Sequence, residues 1–164
     1  MKKIILFLVV IIVAVQFIPG PPKNEGIAQN LNDIQHAVSM DSAISNILKR
    51  SCFDCHSNHT NYPWYSGAQP LAMWIGRHIE EGKDELNFSA FGSYSSKKQY
   101  HKLEEIAEQI GEDEMPLASY KIIHRSAGLS NKEKQLVIRW AQEAMQKIRK
   151  VESTVELPEN ETHL

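Results

Sequence analysis

The chain has little cysteine, no excess of positive charge and no internal repeat. Two cysteines in 164 residues are too few to staple a fold, and a net charge of −2 gives no basic field of the kind that holds phosphate backbones. A disulfide scaffold is ruled out and nucleic-acid binding is set aside. No segment alternates apolar and polar residues convincingly enough to read as a strand, so sheet architectures have no support. With 42% hydrophobic and 23% charged residues, the balance is that of one ordinary globular domain with one core.

The first eighteen residues stand apart. Lys2 and Lys3 precede an apolar run from Ile4 to Val15 that resumes after Gln16 with Phe17 and Ile18, the charged and apolar regions of an export signal. Pro19-Gly20-Pro21-Pro22 follows, with no small-x-small cleavage site close behind. The reading is therefore an uncleaved anchor over residues 1–18, with a cleaved signal as its competitor. Ile4 to Ile18 would rise about 22 Å as a helix, short of a hydrocarbon core of about 30 Å unless the lysines snorkel and the bilayer thins. The flanking lysines orient Met1 to the cytoplasm and the remainder to the periplasmic or outer side. Residues 19–36, rich in Pro, Gly, Asn and Lys, read as a linker, 37–150 as the domain, and the acidic, non-periodic 151–164 as a flexible tail.

Within the domain the period is helical, and the fold class is all-α. Asp41 or Ser42 can cap a helix whose face carries Ile44, Ile47, Leu48 and then Cys52. Ser57 to Pro70 reads as a loop, Leu71 to Gly82 as a short helix, Asn87 to Ser96 as a loop, and Gln99 to Ile110 as an amphipathic helix closed by Gly111. Met115-Pro116 makes the next segment irregular at least as far as Ala118. Ser130 and Glu133 form a capping box ahead of a last helix with Leu136, Val137, Trp140, Ala141, Ala144 and Ile148 on one face.

The two cysteines are three residues apart and a histidine follows at once: Cys52, Cys55 and His56 spell C-x-x-C-H. That is the attachment signature of c-type haem. On a helical turn the two thiols project to one side, where they can add to the two vinyl groups of one porphyrin, while His56 can place a ring nitrogen under the iron. Zinc would need a fourth ligand beyond Cys52, Cys55 and His59, and no second C-x-x-C or H-x-x-x-H supplies it. A dithiol redox pair would sit in a βαβ context that is lacking, and a disulfide across so short a loop would constrain little.

A haem so attached has a sixth position to fill or leave open. Met115, in an irregular Pro-containing segment far from His56 in sequence, is the preferred ligand, with His124, His78 and an open site as alternatives. Trp64 and Tyr65 are candidate walls for the flat macrocycle, Asn87 and Tyr120 candidate hydrogen-bond donors to a ligand or propionate, and Arg77 and Lys83 candidate propionate partners.

The chain resembles class I cytochromes c in its Cys52-x-x-Cys55-His56, its distal Met115-Pro116 and its capped last helix with Trp140. It resembles more closely the bacterial exported haem-binding domain family. The matching phrases are Asn61-Tyr62-Pro63-Trp64-Tyr65, Pro70, Glu81-Gly82, Leu86-Asn87-Phe88-Ser89, Met115-Pro116-Leu117 with Tyr120 and His124, and Leu129-Ser130, spread over about residues 37–150. The resemblance implies a helical cytochrome-like domain around one covalent haem c, with His56 and Met115 on the iron. It also implies one-electron transfer with redox partner proteins, an electron carrier rather than an enzyme. A haem enzyme or gas or redox sensor with an open distal face is the second reading, and a non-haem metal or thiol module using Cys52 and Cys55 the third.

Overall fold

The helix that leads to the cysteine pair begins where a carboxylate can take up its free amides: Asp41 Oδ1 accepts from the Ile44 N–H at 2.8 Å. The same logic starts the last helix, where the Glu133 N–H donates to Ser130 Oγ at 3.3 Å and the Glu133 carboxylate accepts from the Ser130 N–H at 2.8 Å. In the computed structural model, which describes residues 1–27 and 30–155, eight α-helices follow one another. They are α1 (Lys2–Val15), α2 (Ile34–Ala37), α3 (Ser42–Ser51), α4 (Phe53–His56), α5 (Leu71–Glu85), α6 (Ser96–Gly111), α7 (Ala118–Ile123) and α8 (Asn131–Val155). Tighter 3₁₀ turns fill Trp64–Gly67, Phe88–Ser93 and Arg125–Ala127. No strand forms among the described residues, and the fold is all-α as the periodicity predicts.

The pair α6 and α8 packs along its length and carries the core, with α3 laid against α8. Leu48, Leu103, Val137 and Ala141 are fully buried, together with Phe88 and Phe91 from the turn after α5. Each large apolar side chain so buried contributes about 1.5–3 kcal/mol. Two polar ties fix the angle of α8: Trp140 Nε1 donates to the Ser39 carbonyl at 3.1 Å, and Arg50 pairs with Glu133 at 2.9 Å.

Several boundaries move outward from those read in the sequence. Helix α6 starts three residues earlier because Ser95 accepts from the Lys98 N–H. Helix α5 runs through Gly82 to Glu85, since that glycine serves close packing rather than termination. Residues 151–155, read as tail, continue α8, where no Gly or Pro stops them; residues 156–164 of that tail lie outside the described ones.

The N-terminal apolar run is helical, as read, and none of its side chains is buried. Its extent corrects the expectation of a membrane-spanning helix: α1 has 14 residues, and no helix among the described residues is long and apolar enough to cross a membrane. Beyond it, the segment read as a free linker is fastened to the domain. Gln16 and Gln69 exchange a pair of hydrogen bonds, Gln16 Nε2 to the Gln69 carbonyl at 2.9 Å and the Gln69 N–H to Gln16 Oε1 at 3.1 Å. Asn24 donates to the Ser57 carbonyl and to Thr60 Oγ1, and accepts from Lys83 Nζ at 2.8 Å. Asp33 and Ile34 are fully buried. The extended stretch thus straps the loop that leaves His56 against α5.

Candidate functional site

Helix α3 ends at Ser51, and Cys52 takes φ −128° and ψ −37°, so the chain turns there before α4 begins. The turn is closed locally: the Cys55 and His56 N–H groups donate to the Cys52 carbonyl at 3.2 and 3.0 Å. Phe53 points inward and packs on Phe88, ring centroids 5.2 Å apart. Helix α5 crosses close behind, and Gly82 is the point of contact, since a Cβ there would lie 2.9 Å from the Cys55 carbonyl oxygen. The signature is therefore held as two short helical pieces meeting at Cys52, anchored by one aromatic residue and one glycine.

A cavity of about 460 Å³ opens on this turn, and Cys52, His56 and Met115 all line it. Leu48 of α3, Leu86 and Phe88 after α5, Ile106 and Ile110 of α6, and Leu129 give it a largely apolar lining, and Glu85, Glu105, Glu108 and Gln109 border it as well. His56 Nδ1 lies 3.0 Å from the Leu86 carbonyl oxygen. A carbonyl can only accept, so Nδ1 carries the proton and the lone pair of the neutral ring is on Nε2, free to bind a metal. Burial keeps the ring neutral by holding its pKa below the ordinary histidine value, against the opposing effect of the Leu86 and Gly82 backbone carbonyls. Ser51, beside Cys52 on the same wall, has a buried hydroxyl without a partner among the described residues. The donor set fits an iron porphyrin: an imidazole whose Nδ1 is engaged by the Leu86 carbonyl, one thioether, a largely apolar lining and a buried hydroxyl without a partner among the described residues.

A smaller cavity of about 70 Å³ lies on the other side of the turn, and Cys55 lines it rather than the larger one. The segment through Met115, Pro116 and Leu117 borders both, its first two residues on the larger cavity and its third on the smaller. Here Asp54, one of the two variable residues of the signature, organises its surroundings. Its Oδ1 accepts from the Asn61 N–H at 3.0 Å, and its Oδ2 from the Tyr120 hydroxyl at 2.7 Å. Burial first, then the Asp54 carboxylate, pushes the Tyr120 phenol well above its usual range and keeps it a donor. Tyr120 stacks on His124 at 4.2 Å between centroids, and His124 Nε2 lies 3.3 Å from the Tyr65 hydroxyl.

Met115 is placed by the end of α6. The Glu114 and Met115 N–H groups both donate to the Gln109 carbonyl, at 3.0 and 3.1 Å. Asp113 adopts a left-handed φ of 65°, a conformation that Asp tolerates better than most residues, and its carboxylate pairs with Lys134 of α8. A bent turn clamped at both ends thus presents the methionine to the cavity that holds His56.

The sequence matches the family described as haem-binding domain over residues 10–143. The chain belongs to the haem-binding domain family. No curated protein and no solved structure matches it. The family assignment and the cavity agree on the ligand, and haem binding accounts for the neutral His56 and the largely apolar lining better than thiol chemistry does. Burial pushes the Cys52 thiol up to about 12 and the Cys55 thiol to about 11, whereas a reactive dithiol needs a depressed pKa. Among the described residues no group of three or more His, Cys, Asp or Glu side chains gathers to hold a metal ion, so the zinc reading gains no further ligand.

The structure brings Cys52, His56 and Met115 to one cavity and Cys55, Tyr65, His78, Tyr120 and His124 to the other. Trp64 lines neither and is 95% exposed. Arg77 pairs with Glu81, Lys83 with Asn24, and Asn87 donates to Asn58 Oδ1, so these residues serve the scaffold rather than either cavity. Sequence reasoning missed Asp54, Ser51 and Gly82 as parts of the site. The first two stand inside or beside the signature and could have been weighed there; the glycine looked like a helix terminator.

Proposed function

We propose that this haem-binding domain protein is a single-haem c-type cytochrome that carries electrons one at a time on the outer side of the cytoplasmic membrane. The observation that carries the reading is the shared cavity of Cys52, His56 and Met115, with His56 Nδ1 engaged by Leu86 and Nε2 left for the iron. Haem supplies a one-electron couple. The chain's residues would hold it, Cys52, His56 and Met115 from the larger cavity and Cys55 from the other side of the same turn, and the largely apolar lining would exclude water and tune the potential. A methionine lining the same cavity as the histidine favours a carrier, in which both residues would hold the iron, over an enzyme or sensor with an open face.

The exposed apolar helix α1 supports attachment to the membrane by the N-terminus. Its 14 residues, about 21 Å, fall short of a hydrocarbon core of about 30 Å, so α1 is proposed to enter the lipid without spanning it. N-terminal sequencing of the isolated protein tests the anchor: a mature start after Ile18 rules it out.

The deciding experiment is expression with a haem-attachment system, oxidised and reduced spectra, and haem staining on a denaturing gel. Stain that survives denaturation in the wild type and vanishes in the Cys52→Ala, Cys55→Ala double variant supports covalent haem. Stain persisting in the double variant overturns it.

A further inference from the structure

Beside the junction of α1 with the domain, large apolar side chains stand in water. Phe17 is 83% exposed, Trp64 95% and Ile122 74%, and Leu71 and Ile123 are exposed as well. Shared linings and one ring contact link Phe17, Trp64, Leu71 and Ile123 in turn, and Ile122 adjoins Ile123 in sequence. Phe17 borders a hollow with Ser66, Gly67 and Gln69, at the end of the turn that Trp64 begins. Trp64 packs edge-on against Tyr65 at 5.6 Å, and Tyr65, Leu71 and Ile123 share the lining of the smaller cavity. Lys121 and Arg125 bracket the two isoleucines; neither forms an ion pair within 4 Å among the described residues, although the Lys121 charge is felt by the Asp113 carboxylate.

Resting on the reading of α1 as membrane-inserted, we infer that the domain lies directly on the bilayer through this face. Trp64 then sits at headgroup depth, and Lys121 and Arg125 meet anionic headgroups. The Gln16 and Gln69 hydrogen bonds remove the slack a tether would give, so wherever α1 enters the lipid, the patch next to Gln69 is held at its surface. Tryptophan is the side chain that favours the bilayer interface, and cations beside an apolar patch match an anionic leaflet. Contact through the patch also adds to the hold of a helix that is short on its own. In this orientation the smaller cavity, with Cys55 in its wall, faces the membrane rather than the open aqueous side.

The test uses the full holoprotein in vesicles of phosphatidylcholine, with and without phosphatidylglycerol, whose acyl chains are brominated near the headgroup. Tryptophan emission is compared between wild type and Trp64→Phe, the haem damping both alike. The wild type is expected to lose more emission to bromine than Trp64→Phe does, with a larger excess when phosphatidylglycerol is present. That dependence on phosphatidylglycerol is expected to disappear in Lys121→Gln, Arg125→Gln. A chain that fails to float with the vesicles overturns the anchor and this inference together. A chain that floats without excess quenching at Trp64 overturns this inference alone, and so does a loss of haem absorbance in Trp64→Phe, which would make that residue a wall of the haem site.

Discussion

The hydroxyl of Tyr120 donates to Asp54 Oδ2 at 2.7 Å, joining α7 to the middle of the Cys52–His56 segment. The bond spans 66 positions of sequence and is charge-assisted, the kind that contributes most when partly buried. Tyr120→Phe keeps the ring that stacks on His124 and removes only the donor. The variant is expected to lose about 1.5–3 kcal/mol in denaturant unfolding, with haem still attached because neither cysteine nor His56 is touched. An unchanged midpoint would mean that water replaces the phenol at no cost.

Gly82 gives a sharper test of the same turn. A methyl group at this position would come 2.9 Å from the Cys55 carbonyl oxygen and 3.3 Å from its Cβ, and backbone cannot yield as a side-chain tip can. Helix propensity alone would favour alanine within α5 by up to about 1 kcal/mol. Overpacking costs of about 1–3 kcal/mol outweigh that gain. Gly82→Ala is expected to be less stable and to stain more weakly for haem, because Cys55 is displaced, whereas Gly67→Ala, with nothing within 4 Å of the new methyl, is expected to do neither. Equal staining of the two variants would show that α5 moves aside freely.

The helices that carry this site were legible wherever a cap and a period coincided: Asp41 before Ile44, Ser130 with Glu133, and the Val137, Trp140, Ala141 face. The C-x-x-C-H spacing pointed to haem, which the family match supports, and the Met-Pro turn was readable as an irregular segment. What escaped was decided by tertiary contact. Residues 19–27 and 30–36 look like a tether because their partners, Ser57 and Lys83 for Asn24 and Ser89 for Asn30, lie on distant elements, which no local pattern encodes. Gly82 reads as a stop until a carbonyl from α4 is seen against it. Trp64 reads as a wall because aromatic residues usually are, yet the turn it opens leaves it outside both cavities.

Glu133 links stability to pH. Its carboxylate accepts from the Ser130 N–H and hydroxyl and from Arg50, and these bonds, the Ser130 backbone first, lower its pKa to about 2. An unfolded glutamate titrates near about 4.3, so the folded pKa is depressed and the contribution is fully present above that value. It is lost as pH falls from about 4 to 2. The side chain is half-buried at the surface, beside solvent and the partly exposed Arg50, so screening reduces its worth to the scale of one helix cap, about 1 kcal/mol. Glu133→Gln is expected to be less stable than wild type at pH 7 by this amount, and the gap is expected to close at pH 2. A gap independent of pH would assign the effect to packing instead.

Met115 decides between the carrier and an open-faced haem protein. Its backbone is fixed by the Gln109 carbonyl, and the preceding Asp113 is tied to α8 through Lys134, so the side chain enters the cavity of His56 from a segment with little freedom to swing away. A thioether stabilises reduced iron relative to a second imidazole, so a histidine and methionine pair gives a higher potential than two histidines. The oxidised protein is expected to show the weak near-infrared band of methionine-to-iron charge transfer. Met115→Ala is expected to lose that band and to have a lower potential or bind cyanide readily, with haem stain retained through Cys52 and Cys55. An unaltered spectrum in Met115→Ala would move the sixth ligand to His124 or His78, both of which line the smaller cavity with Cys55. Carbon monoxide binding to the wild type without displacement of any ligand would instead favour the enzyme or sensor, because it requires an iron whose distal face the methionine does not hold.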